Sequence, residues 1–215
     1  MKSSLTIRAS LLNTFQQCPR KACLSFHNPS PSTPAQDLGT RTHAQVLASD
    51  KTGTVYLQDT LGFELQGVLR CEKRYNRKIP NTSIEITGGI DAHDDVCVYD
   101  LKTTKGKPSD KKVKDYLEQP QTVIYGWLLA GQKKPLRIQR RVIVNQEVRE
   151  RGQKIFLGKV VHGAALLRPD MQETALELAL DFARMLKNGG GYAKPNIYCK
   201  YCPFFDEDAG CYVAY

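Results

Sequence analysis

ITGGIDAHDDVCVYDLKTTK, residues 86–105, is the stretch with the most chemical information in the chain. Its apolar run predicts a strand over 94–102, and successive side chains of a strand point to opposite faces. Asp100 and Lys102 therefore share one face, whereas Leu101 points into the apolar layer. An Asp-Lys pair at this spacing is commonly a surface ion pair. However, a carboxylate at the end of an apolar strand is costly unless it has a partner, which favours a functional site.

A second carboxylate, Asp91, ends the preceding predicted strand over 82–91. The turn Ala92–Asp95 brings it beside Asp100. Two close carboxylates repel each other, and a divalent cation between them relieves the repulsion. With Lys102 added, such a site can lower the pKa of a bound water and neutralise charge on a scissile phosphate. These are the requirements of phosphodiester hydrolysis.

The remaining chain predicts an α/β domain with a mixed sheet. Helical spacing or capping signals indicate four helices, at about 9–26, from Asp37 onward, 110–131 with a break at Pro120, and 170–187. Strand patterns occupy 64–75, 82–91, 94–102, 137–149 and 154–161. We expect a single domain over 1–215 with a core of about 37–188, an N-terminal helix over 9–26 and a C-terminal tail over 192–215.

Composition and charge restrict the functional class. The chain has 215 residues and a net charge of +9, and no apolar stretch approaches the roughly 20 residues that cross a bilayer. Seven cysteines cannot all pair with one another, which favours a reducing, cytoplasmic compartment, or the host cytoplasm for a viral protein.

Basic residues are concentrated in 130–168, a segment that contains ten basic and two acidic residues. This excess indicates a polyanionic partner such as DNA, although a solvated charged surface is the alternative. In an extended segment Arg137 and Arg141 share a face and Arg140 takes the other. The candidate DNA-binding residues are Arg137, Arg140, Arg141, Arg149, Arg151 and Lys154.

Two further motifs have side chains four residues apart, on one helix face. In GTRTH, 39–43, Gly39 permits close approach of another segment and His43 offers a metal ligand. In QTVIY, 121–125, Gln121 and Tyr125 are suited to hydrogen bonding with phosphate oxygens or to ordering the lysine. Each motif alone is more typical of an ordinary helix.

Cysteines at the C-terminus indicate a metal site. Cys199, Cys202 and Cys211 lie within 13 residues and supply three thiolates, whereas a closed site needs four. Cys18 is the leading candidate for the fourth ligand, and Cys23 is the second. Zinc and iron-sulfur clusters both use four cysteines, so the spacing leaves the metal open.

In this order and spacing, GTRTH, GGID, DLK and QTVIY resemble the nuclease domain of the RecB type, a branch of the PD-(D/E)xK, restriction-endonuclease-like superfamily. The resemblance implies a restriction-endonuclease-like mixed sheet flanked by helices. It also implies Mg²⁺ or Mn²⁺ held by His43, Asp91, Asp100 and the backbone carbonyl of Leu101. Lys102 would act beside the attacking water, with Gln121 and Tyr125 in support.

The chain departs from the family pattern after the histidine, where an acidic residue is common and Ala44 to Leu47 stand instead. Glu72 matches another acidic position of the family but is not expected to be a ligand. The cysteine arrangement is similar to that of the iron-sulfur subgroup, which includes the CRISPR-associated nuclease and the AddB nuclease domain. That similarity implies a [4Fe-4S] cluster that joins the N- and C-terminal segments, with Zn²⁺ as the alternative, on Cys18, Cys199, Cys202 and Cys211.

These features together predict a metal-dependent DNA exonuclease that acts on single strands or DNA ends in recombination, repair or CRISPR adaptation. The resemblance favours 5′ to 3′ polarity. No P-loop motif occurs, so a helicase, integrase or recombinase would be a separately encoded partner. Two alternatives are a catalytically silent DNA-end-binding module that acts with a partner nuclease or helicase, and a zinc-stabilised endonuclease with sequence preference.

Overall fold

The computed structural model describes residues 5–29, 31–48, 50–104, 108–130, 138–145, 148–151, 154–190, 192, 199 and 202–204. The helices are α1 Ala9–Gln17, α2 Pro19–His27, α3 Pro34–Leu47, α4 Asp50–Thr54 with a π-helical continuation Val55–Thr60, α5 Asp110–Leu117, α6 Pro120–Ala130 and α7 Pro169–Lys187. The strands are β1 Leu5–Arg8, β2 Arg70–Lys78, β3 Ile84–His93, β4 Cys97–Thr103, β5 Gln139–Asn145, β6 Val148–Arg151, β7 Lys154–Leu157 and β8 Val160–Leu166.

Six strands form one mixed sheet in the order β1-β3-β4-β5-β8, with β2 paired to the other edge of β3. β1 is parallel to β3 and β4 is parallel to β5. The pairings of β2 with β3, β3 with β4, and β5 with β8 are antiparallel. β6 and β7 form a separate hairpin. The mixed α/β architecture predicted from the sequence is therefore confirmed.

One edge of β3 changes partner along its length. β1 pairs with residues 84–87 of β3, and β4 pairs with Ala92 and His93. Within the described residues, 88–90 have strand pairing only to β2 on the opposite edge. The sequence GGID thus lies at an opening in the sheet, where side chains from a neighbouring helix can enter.

Helices cover both faces of the sheet. α1, α2, α6 and α7 pack on a large core that includes Ile86, Ile90 and Val98. α3 and the π-helical segment pack on the opposite face, against a core that includes Tyr99 and Leu101. The first five residues of β4 are therefore buried between the two layers of helices.

The structure corrects several predicted boundaries. The expected helix 9–26 is two helices, because Pro19 disfavours helical backbone at the preceding residue and Cys18 is extended. The helix 110–131 is divided before Pro120, as the proline suggested. The strand expected from residue 64 begins only at Arg70, since Gly62 and Gly67 adopt φ of 68° and 80° and keep this segment irregular.

No helix within the described ranges is long and apolar enough to cross a bilayer.

Candidate active site

The site lies where β3 and β4 separate. The pairing of these strands ends with Ala92 and Tyr99, and the next positions of that register are Asp91 and Asp100. There, Oδ2 of Asp91 accepts a 2.7 Å hydrogen bond from the backbone N–H of Leu101. A side chain of β3 thus takes the place of a backbone acceptor and is fixed to β4.

Asp100 and Lys102 form a buried ion pair. The Asp100 side chain is 2% exposed, and its Oδ1 accepts a 2.9 Å hydrogen bond from Nζ of Lys102. Oδ2 of Asp100 is buried and has no hydrogen-bond partner among the described residues. A buried carboxylate oxygen without a partner is costly, so this atom is available to a further ligand. Leu101, between them, packs in the apolar layer.

α3 brings an imidazole to the same place. Nδ1 of His43 lies 3.4 Å from Oδ1 of Asp91. One helical turn earlier, a Cβ added to Gly39 would lie 3.2 Å from Oγ1 of Thr103 on β4. The glycine therefore permits the close approach of helix and strand that the sequence indicated, and this approach places His43 over the carboxylates.

Glu72 also joins the site, although the sequence did not identify it as a ligand. It lies on β2 between the pairs Cys71–Ala92 and Lys73–Ile90, opposite Asp91. Its φ of 50° is in the left-handed region, which is uncommon for residues other than glycine. Its Oε1 lies 3.9 Å from Nδ1 of His43. No local pattern reveals this placement, because it depends on the unusual backbone at residue 72.

His43, Glu72 and Asp91 are suited to hold a divalent cation. Each offers one ligand atom, and these atoms lie within 4.8 Å of one another. An imidazole and two carboxylates form a donor set compatible with Mn²⁺, and oxygen ligands also suit Mg²⁺. The ligands implied by the sequence resemblance were His43, Asp91, Asp100 and the backbone carbonyl of Leu101, without Glu72. In the structure Asp100 accepts a hydrogen bond from Lys102. Leu101 contributes its backbone N–H, which orients Asp91.

Burial and crowded carboxylates control the protonation of the site. Burial raises the pKa of Asp100, an effect that the Lys102 ammonium opposes. Burial alone lowers the pKa of Lys102, but Asp100 and Asp91 outweigh it and raise the pKa, so Lys102 remains a cation. Burial, followed by Asp91, raises the pKa of Glu72. Burial lowers the pKa of His43, but its bond to Asp91 produces a net increase. A bound cation would relieve this crowding of negative charge.

Gln121 and Tyr125 approach the ion pair from α6. Nε2 of Gln121 donates a hydrogen bond to the hydroxyl of Tyr125. Burial raises the pKa of Tyr125 to about 12, and the nearby Asp100 carboxylate contributes to the shift. Tyr125 is therefore a neutral phenol at physiological pH. A Cβ added to Gly88 would lie 2.8 Å from its ring, so this glycine leaves space for the tyrosine.

Asn13 on α1 supports this pair and was missed by the sequence analysis. Its Nδ2 donates a 3.1 Å hydrogen bond to Oε1 of Gln121. Its Oδ1 accepts a 2.9 Å hydrogen bond from the backbone N–H of Gln121. A lone asparagine 108 residues away from its partner offers no sequence signal. Asn13 fixes both the start of α6 and the orientation of the Gln121 amide.

A backbone hydrogen bond connects the segment that contains Cys18 to the C-terminal segment. Cys18 is buried between α1 and α2, and the N–H of Arg20 donates a 3.1 Å hydrogen bond to the carbonyl of Tyr192. Cys202 N–H donates to the carbonyl of Cys199 at 2.9 Å. Cys211 lies outside the described residues. In the described part of the chain, no three cysteines have their sulfurs close enough together to form a metal-binding group.

Three other cysteines are buried. Cys71 and Cys97 lie in the core on the α3 side of the sheet, as their apolar surroundings suggested. Burial raises the pKa of Cys71 to about 11. Cys23, the second candidate for the fourth ligand, is 1% exposed, and burial and then Cys18 raise its pKa. These thiols are weakly acidic and shielded from solvent.

The basic tract is not a uniform surface. Arg140 is 1% exposed, so it does not present its guanidinium to DNA as expected; its Nη2 contacts Sδ of Met171 on α7 at 3.7 Å. Arg141 lies over the ring of Phe63, 5.0 Å from the centroid. Arg137 lies outside the described residues. For three further candidates the structure describes the backbone alone, in β6 and β7: Arg149, Arg151 and Lys154.

Known proteins resemble this chain in sequence and in fold. Residues 48–206 match a family model described as the PD-(D/E)XK nuclease superfamily. The match includes Glu72, Asp91, Asp100 and Lys102, and it begins after His43. A search of curated proteins found no match.

Two solved structures share the fold. The crystal structure of SSO0001 has a TM-score of 0.51 and 20% identity, with 95% of this chain and 86% of that chain covered. A crystal structure named as a candidate exonuclease, from Eubacterium rectale, has a TM-score of 0.57 and 11% identity, with 93% and 88% covered. At these identities the likeness concerns the fold alone.

Proposed function

The chain belongs to the PD-(D/E)XK nuclease superfamily, and on that basis we propose that it is a divalent-metal-dependent deoxyribonuclease that removes nucleotides from single-stranded DNA or DNA ends. The observation that carries this proposal is the convergence of Asp91, Asp100 and Lys102 where β3 and β4 separate. His43 and Glu72 complete the site from α3 and β2.

The residues present fit a divalent cation. His43, Glu72 and Asp91 would hold it, and Oδ2 of Asp100, which has no partner among the described residues, is a further oxygen donor. When bound, such an ion acts as a Lewis acid on the phosphate and lowers the pKa of water.

The protein's own groups have separate roles. Lys102 is held as a cation by Asp100 and Asp91, so it neutralises charge that develops on the phosphate instead of accepting a proton. The Asp91 carboxylate is oriented by the N–H of Leu101. Tyr125 remains protonated and can donate to a phosphate oxygen, while Gln121 orients its hydroxyl.

Exonuclease action and 5′ to 3′ polarity rest on the resemblance to the RecB-type iron-sulfur subgroup. The name of the Eubacterium rectale neighbour is consistent with exonuclease action. A role in recombination, repair or CRISPR adaptation, with a separately encoded helicase, integrase or recombinase, has the same basis.

A four-cysteine cluster is part of the proposal. The ligands would be Cys18, Cys199, Cys202 and Cys211, for [4Fe-4S] or for zinc. The bond between Arg20 and Tyr192 supports it, because it places the start of the tail beside the start of α2. Iron, sulfide and zinc should be measured in anaerobically purified protein, with Cys18→Ser beside Cys71→Ser. About four irons, lost in the Cys18 variant alone, would support the cluster, and absence of all three elements would refute it.

End-labelled single-stranded DNA tests the nuclease activity. Anaerobically purified protein is incubated with Mn²⁺ or Mg²⁺, beside a chelator control, Lys102→Ala and Lys114→Ala, which changes an exposed lysine of α5. We expect wild type and Lys114→Ala to release label, and Lys102→Ala and the chelated sample to leave it intact. Comparison of 5′ and 3′ labels gives the polarity.

Closed circular DNA separates the alternatives. An exonuclease leaves single-stranded circles intact, whereas an endonuclease cuts them. If every sample leaves linear DNA intact but shifts it in a gel, the catalytic proposal is wrong on this substrate, and the DNA-end-binding module becomes the better account.

A further inference from the structure

A groove of about 640 Å³ opens beside the active site, between α3 and the end of β4. Its volume is within the range of small-ligand sites, roughly 300–1,000 Å³. The described residues that line it are Ser32, Ala35, Gln36, Gly39, Thr40, His43, Leu101, Lys102 and Thr103.

The lining has the chemistry of an anion path. Among the lining residues that the structure describes, none is acidic, and the one cation is Lys102, the ion-pair partner of Asp100. Hydroxyl groups of Thr40 and Thr103 and the amide of Gln36 supply neutral polar contacts. Apart from the His43 imidazole, which lies beside the carboxylates, none of these described residues has an aromatic ring, so the rest of the groove offers no platform for base stacking. The contacts available suit a sugar-phosphate backbone and not the bases.

The fold builds this groove in a fixed position. Gln36, Gly39, Thr40 and His43 have the spacing of one helix face, which extends about 10 Å at 1.5 Å per residue. The capping box of Thr33 and Gln36 fixes the start of the helix. Gly39 holds the helix close to Thr103.

We propose that this α3 groove binds the sugar-phosphate backbone of one DNA strand that leads to the active site. The inference rests on the proposed nuclease function and adds the strand path, which runs along α3 from His43 toward Ser32. Because the groove contacts the backbone, binding there is independent of base sequence.

A charge substitution with a matched control tests the path. Thr40 and Thr174 are both exposed helical threonines whose Oγ1 donates to the carbonyl four residues earlier, at 3.0 and 2.9 Å. Thr40→Glu places a negative charge in the groove, and Thr174→Glu places the same charge on α7. The affinity for a fluorescent 12-nucleotide single strand is measured in chelator, so that no cleavage occurs, at several salt concentrations. Thermal unfolding checks that both variants fold.

We expect Thr40→Glu to bind about tenfold more weakly at low salt, with the slope of log affinity against log salt reduced by about 1. Thr174→Glu should match wild type, and Thr40→Lys should bind more tightly. Equal affinities for all variants, with wild type still cleaving DNA in Mn²⁺, would overturn the proposal that the α3 groove binds DNA. The nuclease proposal would still stand. A wild type that neither binds nor cleaves would overturn both.

Discussion

The backbone N–H of Leu101 donates a 2.7 Å hydrogen bond to Oδ2 of Asp91, at the point where the β3–β4 ladder ends. The other oxygen of the same carboxylate lies 3.4 Å from Nδ1 of His43. Asp91 therefore connects the sheet to α3, and its carboxylate has both a structural and a chemical role. Substitutions at this position can separate the two roles.

Asp91→Asn should keep the fold and lose the metal site, because an amide oxygen can still accept from Leu101 but carries no charge. Asp91→Ala should lose the acceptor as well, at a cost of about 1–3 kcal/mol for an unsatisfied buried N–H. Thermal unfolding and Mn²⁺ titration calorimetry check both variants. Wild-type Mn²⁺ affinity in Asp91→Asn would exclude this carboxylate as a ligand.

Lys102→Met should destabilise the protein by about 3–5 kcal/mol in chelator, because it leaves the buried Asp100 carboxylate without its partner. The double variant Asp100→Asn, Lys102→Met removes both charges and should recover much of that stability. Nuclease activity should remain at least about 100-fold below wild type in both. Denaturant unfolding and a cleavage assay measure the two effects, and a double variant less stable than the single one would contradict the pairing.

Glu72→Gln should weaken Mn²⁺ binding at least about tenfold, since it removes a carboxylate beside His43 and Asp91. Glu64→Gln, at an exposed position before β2, is the control and should bind Mn²⁺ as wild type does. Calorimetry gives the affinities. Equal affinities in the two variants would exclude Glu72 as a ligand.

Gly88→Ala should lower both stability and activity, because the new Cβ would lie 2.8 Å from the Tyr125 ring. Overpacking of this kind costs about 1–3 kcal/mol. Its neighbour is a matched control, since a Cβ at Gly89 meets no described atom within 4 Å. Thermal unfolding and cleavage rates compare the two alanine variants. Equal behaviour would mean that Tyr125 moves without consequence.

Arg140→Met should stabilise the protein by about 1–4 kcal/mol and leave DNA affinity unchanged. The guanidinium is buried, and its Nε and Nη1 have no hydrogen-bond partners among the described residues. Burial lowers its pKa to about 10. Arg141→Met is the comparison and should lose its contact with Phe63 without this gain. A lower melting temperature for Arg140→Met would show that the buried charge is stabilising.

Local patterns predicted the parts of the site that lie within one element. Strand alternation placed Asp100 beside Lys102 with Leu101 turned into the core, and helical spacing placed Gln121 beside Tyr125. Distant partners were not predicted. Asn13 holds Gln121 across 108 residues, and no pattern in either segment marks that contact.

The basic tract shows the limit of a charge pattern. Strand alternation placed Arg140 on the face opposite Arg137 and Arg141, but alternation does not say which face is covered. In the structure this residue is buried, and its guanidinium contacts Met171 of α7. The outcome depends on a helix that begins 29 residues later in the chain, at Pro169.

The sequence alone determined the alternation of β4, the break before α6 and the mixed α/β architecture, because backbone geometry and the proline ring act over a few residues. Only the tertiary structure decided that Glu72 faces His43, that Asn13 supports α6 and that Arg140 is buried. These contacts depend on a left-handed residue in β2 and on how helices pack across the sheet. Such packing depends on the summed surfaces of many distant residues, which no single segment encodes.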